Sequence, residues 1–209
     1  MYIKNSMTAN PFTLAPEATI AEAMELMRNK GVKRIPIVRN GILVGIVTHG
    51  QLLEVSPSPA TTLSVFEINY LLSKTKIETI MTRKVITVTP ETLLEEASLL
   101  MRENKISGLP VMEEGKLVGI ITESDIFDAF IEIMGFRDKG TRITVATGSD
   151  HPGVLAELTG IIAGRGINIT HIAAFRSEII IRINTTNVDD VIQAIKSKGY
   201  TIVSVIINE

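Results

Sequence analysis

The sequence predicts an α+β fold made of two β-α-β-β-α repeats followed by a separate βαββαβ domain. Residues 7–53 align with residues 81–127 without a gap, and 17 of the 47 aligned positions are identical. Unrelated sequences with ordinary residue frequencies would share roughly 3, so the two segments are copies of one unit. A new strand-like pattern begins near Gly140 and has no counterpart in the repeats. We therefore expect four segments, at 1–54, 55–76, 77–138 and 139–209.

Composition restricts the classes of function that the chain can serve. Of the 209 residues 45% are hydrophobic, which is enough for a substantial core, and no cysteine is present to form a disulfide, a thiolate nucleophile or a metal site. The net charge of −2 and the small aromatic content argue against nucleic acid as a partner. No apolar run approaches the roughly 20 residues that cross a bilayer, and the first residues do not resemble a signal peptide. We expect a cytoplasmic protein without a membrane partner.

Each repeat is predicted to contain a helix that follows a proline turn. Thr19 with Glu22 and Thr92 with Glu95 are candidate capping pairs at the starts of these helices. The apolar residues recur at helical spacing, so we expect them to face the core. These residues are Ile20, Ala23, Met24 and Met27 in the first repeat and Leu94, Ala97 and Met101 in the second.

Short strands precede and follow that helix. Residues 12–14 and 86–88 are rich in β-prone side chains and are predicted to open the two repeats as strands. Two apolar runs joined by a turn that contains glycine then predict a hairpin at 35–47, and the same pattern recurs at 109–121.

A second helix is predicted to close each repeat. Its pattern is clearest after Asp125, where the apolar stripe can end at Gly135. Between the repeats, Ser-Pro-Ser-Pro at 56–59 interrupts the chain, and the apolar spacing of 63–75 predicts a helix that links the two copies.

The repeated motifs resemble those of the CBS domain. A Met-Thr pair opens both repeats, and Gly-hydrophobic-x-Thr recurs at 45–48 and 119–122. The resemblance includes the segments 31–36 and 105–110, so it covers both copies. It implies that the repeats pack face to face into one module with two clefts. In that family the clefts bind AMP, ADP, ATP, S-adenosylmethionine or related ligands and modulate an attached or partner protein.

The ligand motif of that family is Gly-hydrophobic-x-Thr/Ser-x-x-Asp, and Gly119, Thr122 and Asp125 match it fully. The resemblance implies that the aspartate accepts hydrogen bonds from the ribose hydroxyls and that the threonine hydroxyl reaches a phosphate. An ionised carboxylate can accept two such donors. Candidate cations for the phosphate are Lys33, Arg34, His49 and Lys105. The expected nucleotide-binding residues are Gly119, Thr122, Asp125, Thr87, Gly108, Pro110, Thr48 and Arg34.

A second interpretation explains the same motif without a ligand. Thr122 and Asp125 also have the spacing of a capping box, which would stabilise the helix by about 1 kcal/mol. The first repeat carries Thr48 and Gln51 at these positions, and an amide pairs with a diol less strongly than a carboxylate does. We therefore expect one good nucleotide site and one weak or altered site.

The C-terminal segment predicts the order βαββαβ. One helix is expected between Pro152 and Gly164, and a second over 187–198 with Asn187 and Asp190 as its cap. Strands are predicted at 142–147, 178–183 and 200–207, and residues 167–169 are predicted to start a further strand.

This order is ferredoxin-like, and the segment resembles the ACT domain over its whole length. The motifs are Asp-x-Pro-Gly-Val-Leu at 150–155 and Gly-Ile-Asn-Ile at 166–169. The resemblance implies dimerisation through sheets or helices and an amino acid bound near the first motif. The alternative is that Asp150 and Pro152 only start a helix and that Asn168 only caps a turn. The expected amino-acid-binding residues are Asp150, His151, Gly153, Val154, Leu155 and Asn168.

A CBS pair followed by an ACT domain resembles acetoin-utilisation AcuB-like regulatory proteins. The favoured hypothesis is a homodimeric, allosteric regulator that controls a partner protein, with the adenine nucleotide as an effector and no cofactor. One rival is a dimerisation adaptor with degenerate ligand sites, and another is a nucleotide-processing enzyme. His49, His151 and His171 fall in separate elements and no P-loop is present. We therefore expect no catalytic residue and no metal site.

Overall fold

The computed structural model describes residues 1–55, 62–148 and 151–209. These residues form two compact units, Met1–Ile126 and Phe127–Glu209. The predicted Ser-Pro-Ser-Pro break at 56–59 and the predicted site residue Asp150 lie outside the described residues.

The first unit contains both repeats. The predicted hairpins are present, because β2 pairs antiparallel with β3 and β4 pairs antiparallel with β5, and the predicted linking helix is α3. The strands are β1 (Thr8–Ala9), β2 (Arg34–Arg39), β3 (Ile42–Thr48), β4 (Gly108–Glu113) and β5 (Lys116–Thr122). The helices are α1 (Ile20–Lys30), α2 (His49–Glu54), α3 (Val65–Lys74), α4 (Leu94–Asn104) and α5 (Glu123–Ile133), which continues into the second unit.

Residues 12–14 and 86–88 do not form the strands predicted for them. Each segment makes one parallel bridge only, at Leu14 in the first repeat and at Val88 in the second. The next hydrogen bond of either ladder would need the backbone nitrogen of Pro36 or Pro110 as its donor. Proline has no N–H, so the pairing stops after one residue.

The capping pair predicted at Thr92 and Glu95 is also wrong. Helix α4 starts one residue later, with Leu93 as its N-cap and no side-chain hydrogen bond there. The repeat alignment places Leu93 opposite Thr19, which does form the complete capping box predicted for α1. Leucine has no polar side-chain atom to accept from the helix, so the second copy begins its helix without a cap.

The opening segment of each repeat crosses to the other repeat. Strand β1 pairs antiparallel with β5, with Thr8 opposite Ile120, and Thr82 makes the equivalent bridge with Ile46. Ile77, at the start of the second repeat, is fully buried in the core of the first. Because the copies exchange their first segments, they form one module and not two independent domains.

The second unit has the predicted βαββαβ order. Its sheet has the strand order β7-β8-β6-β9, and every neighbouring pair is antiparallel. The predicted cap of the last helix is wrong: Val188 occupies the N-cap without a side-chain hydrogen bond, and the Asp190 carboxylate instead lies 2.7 Å from Arg165 Nε. The elements are β6 (Gly140–Ala146), α6 (Val154–Ala163), β7 (Ile169–Phe175), β8 (Glu178–Ile183), α7 (Asp189–Ser197) and β9 (Thr201–Asn208).

Replacing Leu158 with alanine should destabilise the second unit by about 2–5 kcal/mol, because this α6 side chain is fully buried in the core and its truncation leaves a cavity. Leu155 lies on the same helix but is 49% exposed, so Leu155→Ala is the matched control and should cost about 0.5 kcal/mol or less. Native-state hydrogen exchange at the β6 and β8 amides measures the opening free energy of this unit. Equal losses of protection in the two variants would contradict the core position of Leu158.

Candidate functional site

The first unit contains a first cleft at the end of β3. Residues 48–51, where β3 meets α2, lie on one side of it. Residues 84–86 and 104–108, both from the second repeat, lie on the other. The cleft has a volume of about 580 Å³, which is within the range typical of small-molecule pockets.

A second cleft of about 450 Å³ lies at the equivalent place beside β5. Thr122, Ser124 and Asp125, where β5 meets α5, line one side. Residues 8–12 and 31–34 of the first repeat line the other. Each cleft is therefore built from both repeats, which follows from the exchange of their opening segments.

Asp125 uses one of its two carboxylate oxygens to hold the start of α5. The Thr122 backbone N–H donates to Asp125 Oδ2 at 2.8 Å, and the Thr122 hydroxyl donates to the same atom at 2.7 Å. The Asp125 N–H donates to Thr122 Oγ1 at 3.4 Å. Within the part of the chain that the structure describes, Oδ1 accepts no hydrogen bond. The cap and a ligand contact are therefore compatible in one side chain.

Gln51 has no oxygen left over in the first cleft. Its Oε1 accepts from the Thr48 backbone N–H at 2.9 Å and from the Thr48 hydroxyl at 3.1 Å. Its Nε2 donates to Thr82 Oγ1 at 2.9 Å. The carboxamide is thus held by the helix start and by the crossing segment, and it offers no ionised acceptor comparable to Asp125.

Arg34 lies between the clefts and lines both of them. Its Nη2 donates to Ser107 Oγ, and the side chain passes over Gly108, where an added Cβ would lie 2.8 Å from Arg34 Cδ. Burial lowers the pKa of Arg34, and the nearby carboxylates of Glu123 and Asp125 oppose that shift. Because an arginine stays protonated in proteins, the positive charge of Arg34 is shared by both clefts.

The glycine of the repeated motif has a structural role. A Cβ on Gly119 would lie 2.5 Å from Met7 Sδ and 3.2 Å from the Thr8 carbonyl oxygen, because β1 crosses β5 at this residue. Gly45 meets Met81 and Thr82 in the same way. The motif therefore keeps glycine so that the exchanged segment can approach the strand closely.

The structure divides the predicted nucleotide-binding residues between the clefts. Thr122 and Asp125 line the second cleft, Thr48 and Gly108 line the first, and Arg34 lines both. Within the described part of the chain, three members of the predicted set line neither cleft. They are Thr87, Pro110 and Gly119.

The predicted phosphate-binding cations also fall into two groups. Lys33 and Arg34 line both clefts, whereas His49 and Lys105 line only the first. Lys84 lines the first cleft as well, and the sequence analysis did not select it. It follows the Met-Thr pair of the second repeat, but only the exchange of segments brings it beside residues of the first.

Of the predicted amino-acid-binding residues of the second unit, His151, Gly153, Val154 and Leu155 lie at the start of α6, whereas Asn168 lies beyond the end of that helix, just before β7. His151, Gly153 and Leu155 are exposed, and Gly153 has a φ of 100°. The side chain of Val154 is packed into the hydrophobic core, so only its backbone is available to a ligand. Asn168 is exposed, and its N–H donates to Asn184 Oδ1 at 3.2 Å.

The described residues contain neither a candidate metal site nor a candidate membrane-spanning helix. No group of three or more His, Asp or Glu side chains in residues 1–55, 62–148 and 151–209 is placed to hold a metal ion. Over the same ranges, no helix has the length and hydropathy needed to cross a membrane.

The exchanged repeats, their two clefts and the ferredoxin-like unit define a tandem-repeat, two-cleft protein with a C-terminal α+β domain. The family model of the CBS domain matches residues 3–58 and 77–132, and that of the ACT domain matches residues 141–200. The chain belongs to the CBS-domain family and carries an ACT domain after its CBS pair.

Solved structures of CBS proteins are similar to this chain over the CBS pair. A Vibrio cholerae protein provisionally assigned to acetoin utilization (AcuB) is 31% identical with a TM-score of 0.54, over 66% of this chain and 96% of that protein. CBSX2 in complex with AMP is 30% identical with a TM-score of 0.53, over 63% and 97%. The CBS domain pair of protein MJ0100 in complex with 5-methylthioadenosine and S-adenosyl-L-methionine is 30% identical with a TM-score of 0.52, over 62% and 95%.

A larger enzyme also contains a related region. Inosine-5'-monophosphate dehydrogenase of Korarchaeum cryptofilum is 30% identical over 185 residues, which are 86% of this chain. The chain spans only 34% of the length of that enzyme.

Proposed function

We propose that this protein is a regulatory sensor that binds an adenosine nucleotide or S-adenosylmethionine in its second cleft and controls a partner protein. The observation that carries the proposal is the free Oδ1 of Asp125, in a cleft that Lys33 and Arg34 also line. A ribose diol can donate to that oxygen while the cations neutralise phosphate or carboxylate. The adenosine ligands in the CBSX2 and MJ0100 structures support the same class of ligand.

Calorimetric titration of the full chain with AMP, ATP and S-adenosylmethionine tests this proposal. For AMP and S-adenosylmethionine we expect one strong site per chain, because among the described residues the second cleft has a free carboxylate oxygen and the first has none. A ligand at about 100 times its Kd should also add about 2.7 kcal/mol to the free energy of unfolding. Neither heat nor a melting shift with any of the three would overturn the proposal and favour a dimerisation adaptor.

The proposal excludes turnover of the nucleotide by this chain. AMP and ATP incubated with the protein should be recovered unchanged, as judged by chromatography. Turnover that is lost in Asp125→Ala would instead establish the enzyme hypothesis, with Asp125 as its acid or base.

The proposal extends to an amino acid bound by the second unit and to a cytoplasmic homodimer. Exposed His151 and Leu155 at the start of α6 support an amino-acid site, as does the ACT family match. Exposed Phe66 and Tyr70 on α3 support self-association. Light scattering should give the mass of two chains, and a melting shift with at least one common amino acid should appear. A monomer at all concentrations, or no shift with any amino acid, would reject the corresponding part.

A further inference from the structure

The two clefts differ in charge at several equivalent positions, and four of these differences place the more positive residue at the first cleft. At two others the order is reversed, because Ser107 and Gly108 correspond to Lys33 and Arg34, but both of these cations line the first cleft as well. The repeat alignment, in which equivalent residues are 74 apart, identifies the four pairs. In each pair, the residue that lines the first cleft is more positive than its counterpart in the other repeat. The pairs are Lys84 and Asn10, Lys105 and Gly31, His49 and Glu123, and Gln51 and Asp125.

The cations of the first cleft have no carboxylate partners. Lys33, Lys84 and Lys105 line it together with Arg34, and the described residues of its lining include no Asp or Glu. None of the three lysines is in an ion pair within the described residues, whereas Lys4 and Lys198 elsewhere in the chain pair with glutamates at 2.8 Å and 3.5 Å. Unpaired cations around a cavity without acids produce a positive potential that favours anions.

Lys105 has a left-handed backbone conformation that glycine adopts more easily than lysine. It ends helix α4 in the left-handed region with a φ of 54°, and its counterpart Gly31 ends α1 with a φ of 67°. A side chain in this region strains the backbone, whereas glycine adopts it freely. The strained residue lines the first cleft, and the unstrained glycine lines the second. Lysine at this position therefore adds a positive charge to the first cleft that the second cleft lacks at the equivalent residue.

The same cleft lacks the group that would bind a ribose. Both functional ends of Gln51 are already hydrogen-bonded to Thr48 and Thr82. Four of the remaining polar side chains at the cleft, Lys33, Arg34, Lys84 and Lys105, are cations that donate to phosphate oxygens, and the described residues of the lining supply no carboxylate to accept from a sugar diol.

We propose that the first cleft is a polyphosphate site, which binds a chain of two or more phosphates through Lys84, Lys105, Lys33 and Arg34 and recognises the sugar little. The inference rests on the proposed ligand-binding function of the CBS pair and assigns a different ligand class to its other cleft. A triphosphate carries three or four negative charges, so several unpaired cations can each contribute a charge-assisted hydrogen bond. AMP, with one phosphate and a diol, is suited to the second cleft instead.

The test uses substitutions taken from the other repeat. Lys84→Asn with Lys105→Gly gives the first cleft the residues that the second cleft has, and the glycine removes backbone strain, so the variant should fold. Lys116→Asn with Lys139→Asn is the control, because both lysines are exposed, line neither cleft and give the same change in net charge. The probe is sodium tripolyphosphate, titrated into the full chain in a calorimeter at low and moderate salt.

We expect tripolyphosphate to bind the unmodified chain and the control variant within a factor of two of each other. The matched double variant should bind it at least tenfold more weakly and should retain its strong AMP site. Equal tripolyphosphate affinity in the two variants, or none in the unmodified chain, would overturn the polyphosphate site. Failure of AMP to bind while tripolyphosphate behaves as expected would overturn the proposed nucleotide sensor and leave the polyphosphate site standing.

Discussion

Replacing Asp125 with asparagine should weaken AMP binding by about tenfold to a hundredfold. The change keeps the size of the side chain and replaces an ionised acceptor by a neutral amide, and hydrogen bonds to charged groups are about twice as strong as neutral ones. The amide oxygen would hold the helix start as Gln51 Oε1 does, so an NH2 group that accepts no hydrogen bond would replace Oδ1 as the neighbour of the ribose hydroxyls. About 1.4 kcal/mol corresponds to each factor of ten in affinity. Calorimetric titration of AMP measures the change.

The fold of Asp125→Asn should survive because the chain already contains a comparable arrangement. In the first repeat, the Gln51 carboxamide holds the start of α2 through the same two hydrogen bonds from Thr48. Asp128→Asn is the control, since this carboxylate lies on the same helix, is exposed and pairs with Arg137 at 3.3 Å. Unchanged AMP affinity in Asp125→Asn, with binding intact in the control, would show that Asp125 only caps the helix.

Local features of the site could be predicted from the sequence because they depend on neighbouring residues. The capping role of the Thr122 and Asp125 pair can be predicted from four consecutive residues, since a helix start needs an acceptor at that spacing. The sequence also shows that Gln51 occupies the position in the first repeat that Asp125 occupies in the second. The hairpins and the βαββαβ order follow from periodicity and glycine turns in the same way. The hydrogen-bond partner of Gln51 Nε2 could not be predicted from the local sequence, because that partner, Thr82, is distant in sequence.

The composition of each cleft depends on contacts that no local pattern records. The sequence places Gly108 beside Asp125, since both belong to the second repeat, yet Gly108 lines the first cleft, where the Arg34 side chain passes over it. Lys84 was overlooked because only the exchange of opening segments brings it beside residues of the first repeat. Residues 12–14 have strand-forming side chains, but the missing N–H of Pro36 on the neighbouring strand decides the outcome.

The shared position of Arg34 connects the two proposed sites. The equivalent residue in the second repeat is Gly108, so one arginine side chain occupies space that two symmetric arginines could not share. Its guanidinium lines both clefts, and its Nη2 donates to Ser107 at the first of them. A ligand that draws this group into one cleft must change the charge available to the other, which is a physical basis for coupling between the sites.

Replacing Arg34 with alanine should therefore weaken both ligands at once, AMP in the second cleft and tripolyphosphate in the first, each by about tenfold or more. Arg39→Ala is the matched control, because Arg39 is on the same strand but is exposed and paired with Glu17 and Glu78. Two calorimetric titrations on each variant measure the effect, and thermal unfolding checks that the half-buried site still folds. A loss confined to one ligand would assign Arg34 to a single cleft and remove the proposed connection, whereas parallel losses require one cation to serve both.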